Sequence, residues 1–329
     1  MSKIRAAITA VEGYVPDYIL TNEELSRMMD TSDEWIMTRI GIKERRMLKE
    51  EGKATSDMAA IAVQNLLTKN NIDPKDIDGV ICCTVTPDMH FPATASIVAD
   101  KCDIHGGMSM DLNVGCSGFI YGLKTASLYI ESGFCKKLLL IGAEKMTSVI
   151  DYQDRATAPI FGDGAAVVLL EPTEEEVGVM DSILCSDGVG RKHLHMKAGG
   201  SLKPPSHETV DAREHFVYQE GQAVFKWAVS KMADVSVEIM QRNNLTADTI
   251  SYLLPHQANI RIINAVGHRM ELPEDKVLVN IEKYGNTTSA TIPLLLWENQ
   301  SKFKKGDNLI LTSFGAGFSW GAIYVKWAI

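Results

Sequence analysis

The hydrophobic pattern of the chain occurs twice. Residues 65–83 (NLLTKNNIDPKDIDGVICC) and 238–256 (EIMQRNNLTADTISYLLPH) align without gaps. Each contains the end of an amphipathic helical pattern, an Asn-Asn pair, a polar turn and a short apolar run. Apolar runs of this length are typical of buried strands. Each copy therefore predicts a helix that leads into a central strand, and the chain as a whole predicts two related halves.

The correspondence between the halves continues beyond these segments. A second helical pattern follows in each half, and Gly115-Cys116 then lies opposite Gly285-Asn286. An apolar strand comes next, KLLLIGA or NLILTSF, and a glycine-rich turn closes the half, FGDGAA or FGAGFS. Alternating strands and helices predict parallel sheets with helices packed on their faces. A pseudo-twofold relation would bring equivalent strand ends face to face, so we expect residues 116 and 286 to meet.

The join between the halves is polar. Residues 172–178 (PTEEEVG) predict an acidic surface turn, and residues 186–216 form a polar, loop-like stretch with a Pro-Pro pair. We interpret the second segment as a connection or as a cap over the site. The predicted division falls between residues 172 and 173, which gives the halves 1–172 and 173–329.

The composition narrows the class of protein. A chain of 329 residues, 45% of them hydrophobic, can bury a substantial core. The net charge of −9 argues against sequence-independent binding of nucleic acid, which requires a basic surface. No apolar stretch approaches the roughly 20 residues of a membrane span, and the N-terminus lacks a secretory signal pattern. We therefore expect a cytoplasmic protein with no nucleic-acid or membrane partner, and six reduced cysteines without CxxC spacing fit that location.

Cys116 is the candidate nucleophile. It lies in a Gly-Cys-Ser-Gly turn, and Phe119, Leu123, Ala126 and Ile130 repeat at helical spacing after it. A helix N-terminus favours the thiolate, so we expect a pKa below the usual value of about 8.5. The flanking glycines favour close approach of a substrate over the usual role of a buried structural cysteine. That structural role is expected for Cys82, Cys83, Cys102 and Cys135.

His256 and Asn286 supply candidate hydrogen-bond donors. His256 ends the apolar run SYLLPH, so its ring should emerge at the C-terminal end of a strand, where α/β proteins bind ligands. Asn286 occupies in the second repeat the place of Cys116 in the first. The other histidines are expected to be structural, and their scatter predicts no metal site. A thiolate with two neutral donors could stabilise charge on a thioester oxygen, which indicates acyl transfer through an acyl-thioester intermediate.

Six motifs follow one another along the chain: TSDEWIMTRIGIKER, GCSGF, FGDGA, LLPHQANIRII, YGNTTSATIP and FGAGFSWG. In this order they resemble the β-ketoacyl-[acyl-carrier-protein] synthase III family, the initiating condensing enzymes of bacterial type II fatty-acid synthesis. The resemblance covers essentially the whole chain. It implies a thiolase-like α/β fold, in which two pseudo-twofold-related βαβαβ halves form a five-layered αβαβα arrangement, and it implies a homodimer.

The resemblance also implies the substrates and the chemistry. An acyl-CoA primer would transfer its acyl group to Cys116 and release CoA, with no permanently bound cofactor. Malonyl-acyl carrier protein would then lose CO2 while His256 and Asn286 hydrogen-bond the enolate oxygen. Attack of the carbanion on the acyl-cysteine would give 3-oxoacyl-acyl carrier protein.

Further positions match functional positions of the family. The backbone N–H groups of Cys116 and Ala316 would form the oxyanion hole, and Phe91 would reach the acyl pocket of the partner subunit. The residues that match the family's CoA site, from the nucleotide to the pantetheine tunnel, are Trp35, Arg39, Arg155, Phe225, Asn259 and Phe314. The basic residues that would attract an acidic carrier protein are Lys226, Arg261 and Arg269.

Four alternatives differ in testable features. A related condensing enzyme of secondary metabolism would keep the three central residues and differ in the shape of its tunnel. A biosynthetic thiolase would need a second cysteine near the last glycine-rich turn, where FGAGFSWG has none. A cysteine hydrolase would release free acid. A non-catalytic acyl-binding protein would be expected to lack the nucleophile or its donors.

Overall fold

The computed structural model describes residues 4–329. The strands are β1 Arg5–Tyr14, β2 Ile19–Thr21, β3 Glu44–Arg46, β4 Gly79–Cys83, β5 Met108–Leu112, β6 Leu138–Lys145, β7 Asp163–Thr173, β8 Gly178–Ser186, β9 Leu194–Met196, β10 Val217–Gln219, β11 Tyr252–Pro255, β12 Asn308–Gly315 and β13 Ser319–Lys326. The α-helices are α1 Asn22–Met28, α2 Asp33–Arg39, α3 Thr55–Lys69, α4 Thr94–Lys101, α5 Gly118–Glu131, α6 His207–Asp211, α7 Gly221–Arg242, α8 Ile260–Arg269, α9 Ile281–Tyr284 and α10 Thr291–Asn299.

The main strands form two mixed sheets. The first has five strands in the order β1-β7-β6-β4-β5, and the second has four in the order β11-β12-β13-β8. β4 runs parallel to β5 and β6, and β11 runs parallel to β12, but the other neighbours are antiparallel. The prediction of parallel sheets is therefore wrong for β1, β7, β8 and β13, whose neighbours are all antiparallel. The physical reason is that, within the described chain, no crossover helix separates β6 from β7 or β12 from β13.

Helices cover both faces of each sheet, which gives five layers. α5 and α10 lie between the sheets, where Phe119 and Leu295 share one core with Leu140 of β6 and Leu311 of β12. α3 and α4 cover the outer face of the first sheet, and α7 and α8 cover the outer face of the second. This order confirms the predicted αβαβα arrangement. The division between residues 172 and 173 stays a prediction.

The two repeated segments adopt the same local structure. α3 ends at Lys69 and α7 ends at Arg242, and an Asn pair follows each helix. The second residue of each pair has a positive φ, 53° for Asn71 and 54° for Asn244. Asparagine tolerates this left-handed conformation because its short side chain can hydrogen-bond locally. β4 and β11 then begin as the pattern predicts.

The polar stretch 186–216 lies over the site between the halves. It contains β9 and α6, and β9 pairs antiparallel with β10. Leu194, His195 and Met196 of β9 line the main pocket of the molecule. Part of this stretch therefore lies against the pocket, and the interpretation of the whole stretch as a cap stays a prediction. Within residues 4–329, no helix has the length and apolar character that crossing a membrane requires.

Candidate active site

The three central residues of the prediction line one pocket. Cys116 lies in the 3-10 turn Gly115–Ser117, which leads directly into α5. His256 follows β11, and Asn286 lies between α9 and the 3-10 turn Thr288–Ala290. The pocket that they share has a volume of about 740 Å³. The structure therefore brings residues 116 and 286 together, as the internal repeat predicts.

Two glycines allow the end of β12 to approach Cys116. Gly115 has a φ of 54°, and a Cβ atom at this residue would lie 2.8 Å from the backbone nitrogen of Ala316. A Cβ atom at Gly315 would lie 2.5 Å from the backbone nitrogen of Cys116. Glycine at both positions permits this contact, because any side chain would collide. The backbone nitrogens of Cys116 and Ala316 therefore lie at the contact between the Cys116 turn and the end of β12. Two donors of an oxyanion hole would need to lie close together in this way.

The side chain of Asn286 is held in one orientation. Its Oδ1 accepts a hydrogen bond of 2.8 Å from the backbone N–H of Thr288. Its own backbone N–H donates to the carbonyl oxygen of Ile160 at 2.9 Å. Because Oδ1 is engaged with the turn, Nδ2 is the part of the amide left to act as a donor in the pocket that Asn286 lines.

The pKa of Cys116 does not lie below its usual range, so that expectation is wrong. Burial raises the pKa of the thiol to about 12, and the charge of Glu144 acts in the same direction. Polar groups of its own backbone, of Thr288 and of Asn286 act in the opposite direction. The cost of charging a dehydrated sulfur atom outweighs the helix position. Cys116 is therefore a neutral thiol at rest.

His256 is buried and neutral. Its residue surface is 2% exposed, and burial lowers the pKa of the imidazole to about 3. Nδ1 lies 2.7 Å from Oγ1 of Thr291, at the N-terminus of α10. Nε2 is buried without a hydrogen-bond partner among the residues that the structure describes. The ring thus has one nitrogen fixed by the protein and one available in the pocket.

Glu144 is a buried carboxyl group that sequence reasoning missed. It lies in β6 and is fully buried. The backbone N–H groups of Val85 and Thr86 donate to it, as do the hydroxyls of Thr84, Thr86 and Ser289. Burial raises the pKa of Glu144 to about 7, although these bonds act in the opposite direction. The only signal in the sequence is an acidic residue directly after the apolar run LLLIGA.

Aromatic and basic residues occupy another part of the pocket. Trp35 and Arg39 line it from α2, a helix that Ser32 caps by accepting a 3.1 Å hydrogen bond from the backbone N–H of Trp35. The guanidinium of Arg155 lies 5.6 Å from the centre of the Trp35 ring and 2.9 Å from a carboxylate oxygen of Asp30. An indole ring beside a planar cation offers a stacking surface for a nucleotide base.

Three further residues match the prediction by lining the pocket, namely Phe225, Asn259 and Phe314. Asn259 caps α8, because its Oδ1 accepts a 2.9 Å hydrogen bond from the backbone N–H of Arg261. Its Nδ2 donates to the carbonyl oxygen of Arg39 at 3.0 Å. Asn259 thereby joins α8 to α2 beside the pocket.

The predicted basic residues have different surroundings. Arg261 lines the pocket, and its guanidinium lies 5.0 Å from the centre of the Phe225 ring. Lys226 is exposed on α7. Arg269 is 3.7 Å from Asp234, so an exposed carboxylate offsets part of its charge. The structure therefore places Arg261 at the pocket, Lys226 on the exposed side of α7 directly after the pocket residue Phe225, and Arg269 at the end of α8.

Two further residues, Phe91 and His195, lie in places that differ from each other. Phe91 lies outside the set of described residues that line the pocket, and its surface is 84% exposed. The role of Phe91 towards a partner subunit stays a prediction. His195, which the sequence assigns to a structural role, instead lines the pocket from the cap.

The fold and the site define a class of protein. Two mixed sheets around a central helical layer, with Cys116, His256 and Asn286 in one pocket, form the arrangement of a thiolase-fold condensing enzyme. Residues 110–188 match the family model of 3-oxoacyl-[acyl-carrier-protein (ACP)] synthase III. Residues 240–327 match the model of its C-terminal part.

Known proteins resemble the chain along its whole length. It is 60% identical over 327 residues to β-ketoacyl-[acyl-carrier-protein] synthase III 2 of Bacteroides thetaiotaomicron, with coverage of 99% of this chain and 98% of the relative. It is 58% identical over 328 residues to β-ketoacyl-[acyl-carrier-protein] synthase III of Porphyromonas gingivalis, with coverage of 100% and 98%. The crystal structure of 3-oxoacyl-[acyl-carrier-protein] synthase III from Aquifex aeolicus matches it with a TM-score of 0.90 at 37% identity, with coverage of 98% and 100%. The chain therefore belongs to the β-ketoacyl-[acyl-carrier-protein] synthase III family, the acyltransferases that initiate fatty-acid synthesis.

Proposed function

We propose that Cys116 takes an acyl group from acyl-CoA and that His256 and Asn286 then direct the condensation with malonyl-acyl carrier protein. The observation that carries this proposal is the shared pocket, which joins these three residues to Trp35 and Arg39. A thioester bound along the pocket would have its nucleotide near the indole and its carbonyl carbon near the thiol.

In the loading step, Sγ of Cys116 attacks the carbonyl carbon of the primer. The developing oxyanion accepts hydrogen bonds from the backbone N–H groups of Cys116 and Ala316. Preorganised donors of this kind typically contribute about 3 kcal/mol each to the stability of the transition state. Collapse of the intermediate breaks the bond to the CoA sulfur, CoA leaves as a thiol with the proton that Cys116 gives up, and an acyl-cysteine remains.

In the condensation step, the malonyl carboxylate leaves as CO2. The thioester oxygen becomes an enolate oxygen, which Nδ2 of Asn286 and an N–H of His256 stabilise. Both donors are neutral, so the enolate stays nucleophilic and attacks the acyl-cysteine carbonyl. The product is 3-oxoacyl-acyl carrier protein, and the cysteine thiolate recovers a proton from water.

The same pocket accounts for recognition of CoA. Trp35 and Arg155 would stack on the base, and Arg39 would neutralise a phosphate. Phe225, Asn259 and Phe314 would line the path of the pantetheine arm. The carrier protein delivers the same arm, so the exposed Lys226, together with Arg261 and Arg269, would hold its acidic surface at the entrance.

We further propose that the enzyme is a homodimer. β5 is an edge strand of the first sheet, and its residues are only partly buried in the single chain. An unpaired edge invites another strand, and pairing of β5 with its copy would cover both edges. Phe91 and Met89, exposed at 84% and 50%, would be covered at the same interface. Light scattering should then give twice the monomer mass.

Two further proposals concern the division of the chain and its location in the cell. The chain divides into the halves 1–172 and 173–329, of which the first carries the nucleophile and the second carries both donors. We also place the enzyme in the cytoplasm, because its six cysteines are free and a reducing compartment keeps thiols in that state. Fractionation of the native host would test the location.

The experiment that tests the proposed reaction is identification of the acyl product. Wild-type protein, acyl-CoA and malonyl-acyl carrier protein are mixed, and the carrier protein is weighed by mass spectrometry. A 3-oxoacyl-acyl carrier protein, absent with Cys116→Ala, supports the proposal. Release of free acid would instead support a cysteine hydrolase, and an unchanged carrier protein would refute the assignment.

A further inference from the structure

Thr288 has a backbone conformation that threonine rarely adopts. Its φ is 53°, in the left-handed region. For a β-branched residue a positive φ is a steric outlier, because the branched side chain crowds the backbone. Strain of this kind persists where the surroundings enforce it, and it clusters at functional sites. Among residues 4–329, the other residues apart from glycine that have a positive φ are not β-branched, namely Asn71, Asp103, Arg213, Asn244 and Glu271.

The neighbours of Thr288 hold this conformation through its backbone. The N–H of Thr288 donates to Oδ1 of Asn286 at 2.8 Å, and its carbonyl oxygen accepts from the hydroxyl of Thr291 at 3.1 Å. Thr288 begins a 3-10 turn whose next residue, Ser289, is anchored by a hydrogen bond of 2.6 Å to the carbonyl oxygen of Cys83. These bonds use the backbone of Thr288, and none of them uses its side chain.

The hydroxyl of Thr288 is buried without a partner at rest. The residue is 3% exposed, and Oγ1 has no hydrogen-bond partner among residues 4–329. Thr288 lines the pocket together with Cys116. A buried hydroxyl of this kind gives up its hydrogen bonds to water and gains none in return, so such groups are rare and need an explanation. A partner that exists only during the reaction would supply one.

The sulfur of Cys116 is within reach as that partner. The turn that contains Cys116 packs against the turn that contains Thr288. A Cβ atom at Gly118 would lie 3.2 Å from Cβ of Ser289, which shows how closely the two segments approach. Burial has the largest effect on the pKa of the Cys116 thiol and raises it, but the nearby side chain of Thr288 acts to lower it. A group that acts in this direction stabilises the thiolate relative to the thiol.

We propose that Thr288 is a further catalytic residue, whose hydroxyl donates a hydrogen bond to Sγ of Cys116 whenever this sulfur carries negative charge. The proposal rests on the proposed function of the site. Neutral sulfur is a weak acceptor, whereas a thiolate is a charged one, so the hydrogen bond becomes strong only when the charge is present. The strained backbone thus holds a donor at the place where charge develops.

Negative charge reaches Sγ twice in one reaction cycle. During loading, Cys116 gives up its proton as Sγ bonds to the acyl carbon, and CoA leaves as the thiol that carries this proton. During condensation, the enolate carbon attacks the acyl carbon, the bond from that carbon to Sγ breaks, and its electron pair stays on Sγ as the thiolate. The hydroxyl of Thr288 keeps its own proton in both steps. Decarboxylation places its charge on the thioester oxygen of the malonyl group instead, so it should not depend on this hydroxyl.

The test compares Thr288→Val with Thr288→Ser and with Thr287→Val. Valine keeps the branched shape of threonine and loses the hydroxyl, whereas serine keeps the hydroxyl. Thr287 is the matched control: it is 1% exposed and its hydroxyl also lacks a partner among the described residues, but it lies outside the set of residues that line the pocket.

The first measurement is the rate at which iodoacetamide alkylates Cys116 at pH 8, because this rate follows the thiolate fraction. It should fall about tenfold or more in Thr288→Val, the usual effect of removing one hydrogen bond to a charged group. Acyl loading from acyl-CoA, followed by intact-protein mass, should fall by a similar factor. In Thr288→Ser and Thr287→Val both rates should stay within about threefold of the wild type, which is less than such a bond contributes.

Decarboxylation separates this role from a general loss of structure. In a Cys116→Ala background, Thr288→Val should release CO2 from malonyl-acyl carrier protein at the parental rate, because the backbone N–H that orients Asn286 remains. Thr288→Ala provides a second variant without the hydroxyl and should behave as Thr288→Val does.

Unchanged alkylation and loading in the variants without the hydroxyl, equal losses in Thr287→Val, no recovery with serine, or an equal loss of decarboxylation would overturn the proposal. If alkylation responds as predicted but the wild type takes no acyl group from acyl-CoA, the proposed function fails and the hydrogen bond to the thiolate stands.

Discussion

The hydroxyl oxygen of Ser289 lies 2.8 Å from Oε1 of Glu144 and 2.6 Å from the carbonyl oxygen of Cys83. Ser289 belongs to the turn that follows Asn286, whereas Glu144 and Cys83 lie on neighbouring strands of the first sheet. The contact therefore joins the two halves of the molecule beside the pocket. Because Glu144 also binds residues 84–86, a single buried carboxyl group holds both sides of this join.

Replacement of Glu144 by glutamine should change how stability depends on pH. Burial raises the pKa of Glu144 from 4.5 to about 7, so the folded protein binds this proton more tightly than the unfolded chain. Its contribution to the free energy of unfolding is therefore full below pH 4.5 and is lost as the pH rises through 7. Over this range the wild type should lose up to about 3 kcal/mol relative to Glu144→Gln.

Urea unfolding of both proteins between pH 5 and pH 8 measures this difference. Glu238→Gln, at an exposed position of α7, is the matched control and should follow the wild type at every pH. A stability difference between wild type and Glu144→Gln that stays constant with pH would contradict the raised pKa.

Replacement of Asn286 by aspartate should slow decarboxylation. The variant keeps the acceptor for the Thr288 N–H but loses the Nδ2 donor, and removal of one such donor typically costs a factor of about 10² to 10³. Release of CO2 from malonyl-acyl carrier protein is the readout. Loading of Cys116 from acyl-CoA is measured in parallel, because the side chain of residue 286 also lies beside the thiol. Equal rates of CO2 release in variant and wild type would remove Asn286 from the mechanism.

The alkylation of Cys116 should report its raised pKa. Since burial raises the pKa of the thiol to about 12, the thiolate fraction should grow about tenfold for each pH unit between 7 and 9. The rate of reaction with iodoacetamide, resolved by peptide mass spectrometry, should grow in proportion. Cys185, a half-buried cysteine, provides a second peptide in the same digest. A plateau below pH 8 would show that the helix position lowers the pKa after all.

The packing of α5 against the first sheet should not tolerate a methyl group at Gly122. A Cβ atom there would lie 2.5 Å from Sγ of Cys83 and 2.7 Å from Cδ1 of Leu140. Alanine normally favours a helix, but overpacking at this contact should lower the free energy of unfolding by about 1 to 3 kcal/mol. Gly221→Ala is the control, because a Cβ atom at Gly221 meets nothing within 4 Å. Equal stability of the two variants would contradict the close approach.

The sequence predicts those features that depend on local patterns. The helical spacing of apolar residues predicted the helix after Cys116. The correspondence of the two halves predicted that Cys116 and Asn286 meet. The antiparallel directions of β7 and β13 could not be predicted, because the apolar pattern of a strand does not show whether its neighbour in the sheet is parallel. The pKa of Cys116 depends on burial by distant segments, so its helix position alone gave the wrong direction.

Hydrogen bonds between residues from distant segments could not be predicted from the sequence either. Glu144 stands out only as an acidic residue in an apolar strand, and its donors come from residues 84–86 and from Ser289. Thr291 reads as an ordinary helix-start residue. Its contact with His256 becomes visible only when α10 and β11 are placed side by side.

The intact mass of the protein after mixing with a panel of acyl-CoA thioesters tests the central claim most directly. The account predicts one acyl adduct, located on Cys116 and absent from Cys116→Ala, that disappears with release of CO2 when malonyl-acyl carrier protein is added. The panel would also identify the preferred primer. No adduct, an adduct that persists in Cys116→Ala, or an adduct that leaves only as free acid would contradict a condensing mechanism at Cys116.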